Sequence, residues 1–497
     1  MVKLSSRLCW KERIAISFVF ALLAVGTTSA QSEEDYYRIL TLPIPMDPKL
    51  EVSGLAVLPD GRIAAAIRKG EVWIVHNVYD DPPTDVIYKQ FAGGLHEPLG
   101  LAYKDGDLYL VQRTELTRLR DTDKDGRADE YLTVAKGWGV TGNYHEYAYG
   151  PKFDRAGSMW ITLNSGLGKK PHPDDDAWRG WSLKVSPDGS WKPVSGGMRS
   201  PSGLGINAQD DAFYTDQQGN WVPTNTLSHM REGVFHGYVD ALKHCRLPGA
   251  TFSYEGEIPQ ELSYPEAAER IPPMKLPAIW FPYRKVGMSA TDVVLDSTEG
   301  KFGPFAGQLF VGDFTLSLIS RVYLEKVNGE YQGACFLFRE GFESAVVRMA
   351  FGDDGSMLVG MTNRGWNSLG TRSYGLQRLV WNGRMPFEIK TFEARPDGFE
   401  LSFTKKVNVD TAVALSSYQL SSYTYRYHQT YGSPEIDTKL LRVESVTVAP
   451  GGRRLRLRVD GLREGYVHEL YAEGVRSADG EALLHPRGYY TLNQIPD

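Results

Sequence analysis

Cysteine is scarce in this sequence, with three residues among 497. The chain contains no CxxC and no CxxCH motif, which excludes a zinc ribbon and a covalently attached haem. Removal of an N-terminal leader would take away Cys9 and leave Cys245 and Cys335. In an oxidising compartment these two residues form either one disulfide or two lone buried thiols, and the sequence leaves both states open.

An excess of basic residues is also missing, since the formal net charge is -6 and both signs are interspersed. This balance argues against nucleic acid as the main partner. After the first thirty residues no apolar stretch approaches eighteen residues, so we expect no integral membrane segment in the mature chain.

Residues 1–30 have the pattern of a secretory signal peptide. Basic residues precede the apolar run IAISFVFALLAVG, and the segment ends with small residues before Gln31. Cleavage after Ala30 would give a secreted or periplasmic protein, and an uncleaved anchor is the alternative.

The rest of the chain is dominated by one recurring phrase, in which two apolar strands flank a turn with Asp or Gly. Aromatic residues make up 12% of the chain and there are 51 glycines, as suits β-strands joined by tight turns. Six copies of the phrase begin at Val52, Pro98, Ala148, Pro201, Ala290 and Val346. Four short strands per unit, six times over, predict an all-β fold with a six-bladed β-propeller at residues 31–386.

Two segments depart from this repeat. The wide gap between the fourth and fifth copies is rich in proline and predicts a long ordered insertion on one face. From residue 387 alternating strands replace the phrase, which predicts a C-terminal immunoglobulin-like β-sandwich at residues 387–497.

The propeller repeat also predicts which residues meet around the central channel. Entries to first strands and exits from second strands lie on the same face, and polar residues collect there. His96 and His145 are general-base candidates because histidine titrates near neutrality. The face further carries Glu146 and Asp216 as catalytic candidates, with Arg199, Lys285, Asn363 and Arg364 as cofactor-binding candidates.

The most acidic loop, DTDKDGRADE, joins a third strand to a fourth strand and therefore belongs to the opposite face. Its spacing places Gly126 at the sharp turn of a calcium loop. The predicted ligands are Asp121, Asp123, Asp125, the carbonyl of Arg127 and Asp129. Position twelve is Leu132 rather than a bidentate acid, and no helix pattern flanks the loop, so it is not a complete EF-hand. We predict a structural Ca²⁺ site; the alternative is a solvated acidic hairpin without metal.

The repeats, together with GMRSPSGLGI and FYTDQQGNWVPTNTLSHMREGVFHGY, resemble the soluble glucose and sorbosone dehydrogenase family, and the large secreted relatives most closely. The resemblance covers nearly the whole propeller. It implies a six-bladed propeller that binds pyrroloquinoline quinone (PQQ), oxidises a sugar or polyol, and passes electrons to a c-type cytochrome.

The same resemblance implies roles for individual residues. NYHEYAYGPKFDRAGSMW corresponds to the segment that carries the family's histidine base, which points to His145 with a shift of one residue, whereas a gapless match points to Glu146. The family's Arg-Asn pair before a proline corresponds to Arg199 followed by Ser200. The last-blade pattern of two arginines retains only Arg348.

Two other function classes stay open at this stage. The first is a non-catalytic propeller that binds carbohydrate or a protein, with the sandwich as an adhesion module. The second is a hydrolase or lactonase with a metal in the channel, whose ligands would come from Glu97, Glu146, Asp216 and Asp313.

Overall fold

A computed structural model describes residues 31–168 and 176–497 of the chain. The predicted signal peptide, residues 1–30, lies outside the described residues. The described part is built almost entirely from β-strands, and none of its helices is long and apolar enough to cross a membrane.

The strands follow one another in short antiparallel hairpins. Their bounds in chain order are β1 (Tyr37–Thr41), β2 (Val52–Val57), β3 (Ile63–Ile67), β4 (Glu71–His76), β5 (Ile87–Ala92), β6 (Ala102–Lys104), β7 (Asp107–Val111), β8 (Glu115–Arg120), β9 (Glu130–Lys136), β10 (Ala148–Phe153), β11 (Met159–Leu163), β12 (Trp181–Val185), β13 (Trp191–Gly196), β14 (Gly203–Ile206), β15 (Ala212–Asp216), β16 (Asn225–His229), β17 (Leu262–Ser263), β18 (Ile279–Phe281), β19 (Ala290–Leu295), β20 (Leu309–Asp313), β21 (Leu318–Val327), β22 (Glu330–Arg339), β23 (Val346–Phe351), β24 (Met357–Thr362), β25 (Tyr374–Trp381), β26 (Ile389–Arg395), β27 (Gly398–Phe403), β28 (Gln419–Thr424), β29 (Arg426–Tyr427), β30 (Ile436–Val448), β31 (Arg454–Asp460), β32 (Tyr466–Tyr471) and β33 (Arg487–Leu492).

Helices are few and short. Within residues 31–168 and 176–497 the α-helices are α1 (Tyr264–Arg270) and α2 (Val409–Val413), and 3-10 turns cover Glu33–Asp35, Val239–Arg246 and Leu415–Ser417. Ser263 caps α1 and forms a capping box with Glu266, which satisfies the first free N–H groups of the helix.

Six four-stranded units give the molecule a propeller-like architecture. Five are separate sheets: β2–β5, β6–β9, β10–β13, β14–β16 with β18, and β23–β25 with β1. The sixth unit, β19–β22, forms one end of an eleven-stranded sheet. The first strands β2, β6, β10, β14, β19 and β23 contact one another in a closed cycle. Each of the six predicted copies of the phrase supplies the first two strands of one unit.

The cycle is closed by hydrogen bonds between the two ends of the propeller. Strand β1 pairs with β25 in antiparallel register, from Tyr37 opposite Trp381 to Thr41 opposite Gln377. The N-terminal segment thus supplies the outermost strand of the last unit, which covers an edge that would otherwise be open.

The C-terminal strands continue the sheet of the fifth unit. Strand β33 pairs with β22, with Cys335 opposite Tyr489, and the sheet continues through β32, β28, β30, β31 and β27 to β26. Ala334 and Phe336 of β22 belong to the same apolar core as the C-terminal strands. The immunoglobulin-like topology therefore stays a prediction, because these strands share both a sheet and a core with the propeller unit.

The predicted insertion lies within the fourth unit, because β18 near its end pairs with β16 as the outermost strand of that unit. It packs against the C-terminal strands. Its short strand β17 pairs with β29, and Tyr264 and Ile271 lie in one core with Tyr425 and Tyr427. Cys245 of the insertion and Cys335 of β22 are both buried and free, so the structure has two lone thiols rather than a disulfide.

Candidate functional site

A pocket of about 280 Å³ lies at the end of the central channel, on the face where first strands begin and second strands end. The propeller repeat predicts that the polar residues of strand entries and exits collect on this same face. All six units contribute to its wall, represented in order by Ser53, Leu99, Tyr147, Arg199, Thr291 and Arg348.

His145 lines this pocket from the loop that precedes β10. The loop is held in place by the His145 backbone N–H, which donates to Asn143 Oδ1 at 3.0 Å. Burial, together with the positive charges of Arg199 and Arg113, lowers the pKa of His145 below its ordinary value of 6.5. The imidazole is therefore neutral at neutral pH, which is the form that accepts a proton.

Arg199 is a buried cation with free hydrogen-bonding capacity. It is only 8% exposed, and its Nε has no hydrogen-bond partner among the described residues. The guanidinium lies directly on Gly219, where an added Cβ would fall 1.9 Å from Nε and 2.1 Å from Cζ. Since Arg199 also lines the pocket, its positive charge favours an anionic ligand there.

Asp216 holds the backbone that carries Arg199. Its Oδ2 accepts the Arg199 N–H at 2.8 Å, and its Oδ1 accepts the N–H groups of Ser200 at 2.7 Å and Gln217 at 2.9 Å. Burial raises the pKa of Asp216 to about 6, although these hydrogen bonds lower it. The carboxylate does not line the pocket, so its place in the structure is that of a positioning residue.

Glu146 also points away from the pocket. It is fully buried, and its two carboxylate oxygens accept the Thr141 N–H and hydroxyl, both at 2.6 Å. These bonds anchor the loop that carries the neighbouring His145. The two adjacent residues proposed for catalysis are thus separated by the fold, with one in the pocket wall and the other behind it.

The His145 loop is further braced by the buried guanidinium of Arg179. It donates to the carbonyls of Tyr147 at 2.6 Å, Gly139 at 2.7 Å and Arg113 at 2.9 Å. Burial lowers the pKa of Arg179 to about 10. Every nitrogen of Arg179 is thus hydrogen-bonded, in contrast to the unpaired Nε of Arg199.

Three further arginines line the pocket. Arg68 donates to Glu97 at 3.1 Å and to the Tyr147 hydroxyl at 3.0 Å. Arg348 donates to three carbonyls, those of Val347 at 2.7 Å, Ser53 at 2.9 Å and Leu99 at 3.3 Å. Arg364 is exposed at the mouth, and its guanidinium lies 3.5 Å from Glu51.

The other two predicted cofactor-binding residues do not line the pocket. The ammonium of Lys285 contacts Glu435 at 2.8 Å and Glu469 at 2.6 Å, both in the C-terminal segment. Asn363 bonds through its backbone N–H to the Ser373 carbonyl at 2.9 Å. His96 is exposed and likewise does not contribute to the pocket wall.

The channel acids are already engaged by protein donors. Hydrogen bonds and charges from Arg113 and Arg68 lower the pKa of Glu97 despite its burial. Asp313 accepts the backbone N–H groups of Met288 and Ser289, at 2.6 Å and 2.7 Å. Among the described residues, these acids form no group of three that could share a metal ion.

The acidic hairpin between β8 and β9 brings together three of its five predicted ligands. Oxygen atoms of Asp121, Asp123 and Asp129 all lie within 4.8 Å of one another. Asp121 Oδ1 has no hydrogen-bond partner in the described chain, whereas Asp125 Oδ1 accepts the Arg127 N–H at 2.8 Å. The hairpin joins third and fourth strands and so lies at the other end of its unit from the pocket.

Sequence reasoning missed Arg68, Tyr147 and Tyr431 in the pocket wall. Arg68 follows the second strand of the first unit, so the same rule that selected Arg364 would have found it. Tyr431 belongs to the C-terminal segment, and nothing in its local sequence indicates that it reaches a channel built by a distant part of the chain.

Solved structures similar to this chain include several described as glucose or aldose sugar dehydrogenases. An oxidoreductase described as a glucose dehydrogenase from Thermus thermophilus is 18% identical, with a TM-score of 0.49, over 69% of this chain and 100% of that one. The PQQ-bound aldose sugar dehydrogenase from Streptomyces coelicolor is 15% identical, with a TM-score of 0.47, over 69% of this chain and 98% of that one. The holo PQQ domain of pyranose dehydrogenase from Coprinopsis cinerea is 9% identical, with a TM-score of 0.46, over 69% of this chain and 95% of that one.

No curated protein matches the sequence. The model of the family described as a domain of unknown function, DUF7133, matches residues 59–332. This match spans more than half of the 497 residues, and the chain therefore belongs to the DUF7133 family.

Proposed function

We propose that the protein is a secreted or periplasmic oxidoreductase that oxidises a sugar or polyol with a PQQ-type quinone, with His145 as general base. The architecture that we propose for it is a six-bladed propeller followed by an immunoglobulin-like sandwich at residues 387–497. A c-type cytochrome is the proposed electron acceptor.

The observation that carries this proposal is the pairing of Arg199 with His145 in one pocket. Arg199 brings a positive charge into the pocket wall, which favours an anion there, and this charge helps keep His145 neutral. A pocket that binds an anionic group beside a neutral base suits the removal of a hydroxyl proton from a substrate held against an anionic cofactor.

The pocket residues fit a quinone that carries three carboxylates. Arg199 has free donor capacity, Arg364 is exposed at the mouth, and Arg68 adds positive charge to the wall. Charge-assisted bonds from guanidinium to carboxylate are among the strongest polar contacts available to a protein. Such a quinone would supply an acceptor for the hydride of the substrate carbon that carries the hydroxyl group.

The residues of this chain supply proton transfer and orientation. His145 accepts the hydroxyl proton at its ring, and Glu146 and Arg179 fix the loop that positions it. Asp216 fixes the Arg199 backbone through the three N–H groups described above. Arg348 donates to three carbonyls around the channel and holds the first two units against the sixth.

We also propose that the acidic hairpin binds a structural Ca²⁺ ion. The convergence of Asp121, Asp123 and Asp129 supports this assignment, since carboxylate oxygens are preferred ligands of calcium. The hairpin lies at the opposite end of its strand unit from the pocket, so the ion would stabilise the fold rather than take part in chemistry.

One titration tests the oxidoreductase proposal. PQQ is added to purified protein with calcium, quinone absorbance reports binding, and dye reduction with a panel of sugars and polyols reports turnover. We expect micromolar binding that is weakened in Arg199→Met and unchanged in Arg246→Met, a control at an exposed arginine. Absence of quinone binding at micromolar concentration would overturn the proposal, and sugar binding without turnover would favour a non-catalytic carbohydrate-binding propeller.

A further inference from the structure

Three exposed aromatic residues stand in the pocket wall. Tyr144 is 52% exposed, Trp366 is 64% exposed and Tyr431 is 58% exposed, and all three line the pocket. They come from three separate segments: the loop before β10, the loop after β24 and the C-terminal hairpin loop after β29. We call these three residues the aromatic rim.

Two rings of the rim are held from behind by arginines. The Arg68 Cζ lies 5.7 Å from the centroid of the Tyr144 ring, and the Arg199 Cζ lies 5.4 Å from the centroid of the Tyr431 ring. The attraction of a cation to the face of a ring helps to orient that ring. Rings fixed in this way lose little conformational entropy on binding, which favours them as contact surfaces.

Tyr431 lies on a loop whose position is fixed by hydrogen bonds to the segment around Gly219. The Asn220 side chain donates to the Gln429 carbonyl at 2.7 Å, and the Gly432 N–H donates to the Gly219 carbonyl at 3.0 Å. Gly219 is the residue on which the Arg199 guanidinium lies. The C-terminal segment is therefore part of the pocket and is bonded to the same turn that seats the proposed cofactor contact.

The chemistry of the rim distinguishes among possible ligands. The exposed hydrophobic residues of the pocket wall are all aromatic, and the exposed aliphatic residues of the described chain, such as Met46 and Leu440, do not line it. Separate aromatic faces interspersed with charged donors suit a ligand with alternating apolar faces and hydroxyl edges. A sugar ring has this character, whereas a protein partner would need a contiguous apolar patch.

We propose that the aromatic rim binds sugar units beyond the one that is oxidised, so that the substrate is an oligosaccharide or the end of a polysaccharide. The claim that the bound chain is a substrate rests on the proposed oxidoreductase function; the claim that the rim binds a sugar chain does not. Three rings on separate loops offer contacts to more than one sugar unit.

The test uses full-length protein and hexasaccharides whose reducing ends have been converted to alditols. Reduced malto-, cello-, xylo- and manno-hexaose are titrated calorimetrically into the protein without quinone. We expect at least one to bind, and Tyr431→Ala and Trp366→Ala each to weaken its affinity roughly tenfold, the effect of about one lost aromatic contact. Tyr431→Phe should retain binding. Tyr131→Ala, at an exposed tyrosine outside the pocket, is the matched control and should bind as the parent protein does.

A second measurement separates this inference from the proposed function. With quinone and dye, the ratio of kcat/KM for a hexasaccharide to that for its monosaccharide should fall roughly tenfold in Trp366→Ala. Binding without any dye reduction would retain the rim as a sugar-binding surface and overturn the oxidoreductase proposal. Failure of all four hexasaccharides to bind at millimolar concentration, or binding that is unaffected by the rim variants, would overturn the inference.

Discussion

The pocket and the acidic hairpin at residues 121–129 lie at opposite ends of the strand units and use charge in different ways. In the hairpin the carboxylates are clustered in sequence, mostly exposed, and bonded to N–H groups of their own loop. In the pocket the charges come from units far apart in the chain, are largely buried, and include one arginine, Arg199, whose Nε has no hydrogen-bond partner among the described residues. A conspicuous local motif is thus typical of a structural role, and a dispersed set of residues is typical of a ligand site.

Removal of the proposed base gives the largest expected effect and tests whether the pocket is the catalytic site. We expect His145→Gln to lower kcat/KM by about 10²- to 10⁴-fold, the usual contribution of a positioned general base. The parent protein should show a matching pH dependence. Because the pKa of His145 is lowered, the activity of the parent protein should be retained from neutral pH down to 6.5 and lost only at more acidic pH, where the imidazole becomes protonated.

Steady-state kinetics across pH 4 to 9 and a melting curve check this prediction. The variant should melt as the parent protein does, because no described residue hydrogen-bonds to the His145 ring. An acid limb that stays in the pH profile of the variant would assign that limb to another group. Full turnover in the variant would rule out His145 as the base.

A second prediction compares two buried arginines: Arg199, which lines the pocket, and Arg179, which does not. Arg199→Met should weaken quinone binding roughly tenfold to a hundredfold, because it removes a charge-assisted bond worth about 1.5–3 kcal/mol. It should not reduce stability, since it relieves a buried unpaired donor.

Arg179→Met is the matched control for that change. It leaves the Gly139 carbonyl without a donor, at a cost of about 1–3 kcal/mol if this group stays buried. The Tyr147 and Arg113 carbonyls each lose one of two donors, because Asn164 N–H at 2.9 Å and Trp138 Nε1–H at 2.8 Å remain bonded to them. Chemical denaturation should therefore show a large loss of stability in this variant only. Equal stability losses in both variants would show that Arg199 is a structural arginine and not a ligand contact.

The sequence predicts features that depend on neighbouring residues better than features that depend on residues far apart in the chain. The hairpin phrase recurs locally, so the six units and the face of the pocket were predictable, as was the placement of His145, Arg199 and Arg364 in its wall. Closure by β1 was missed because YRILT does not resemble the phrase, and its partner β25 lies more than 300 residues away. Sequence reasoning also assigned Lys285 to the pocket, because its partners Glu435 and Glu469 lie 150 and 184 residues further along the chain.

The smallest expected effect concerns calcium at the acidic hairpin. Asp123 belongs to the group of three converging carboxylates, whereas Asp125 does not, so Asp123→Asn should reduce calcium-dependent stabilisation more than Asp125→Asn. At calcium a hundredfold above its Kd, a bound ion stabilises the native state by about 2.7 kcal/mol, and loss of the site removes that increment. Melting curves with calcium and with chelator measure it, and turnover at a temperature well below the melting point should be the same in both variants. A selective loss of turnover with unchanged melting would instead connect the hairpin to the pocket and remove the distinction between the two ends of the molecule.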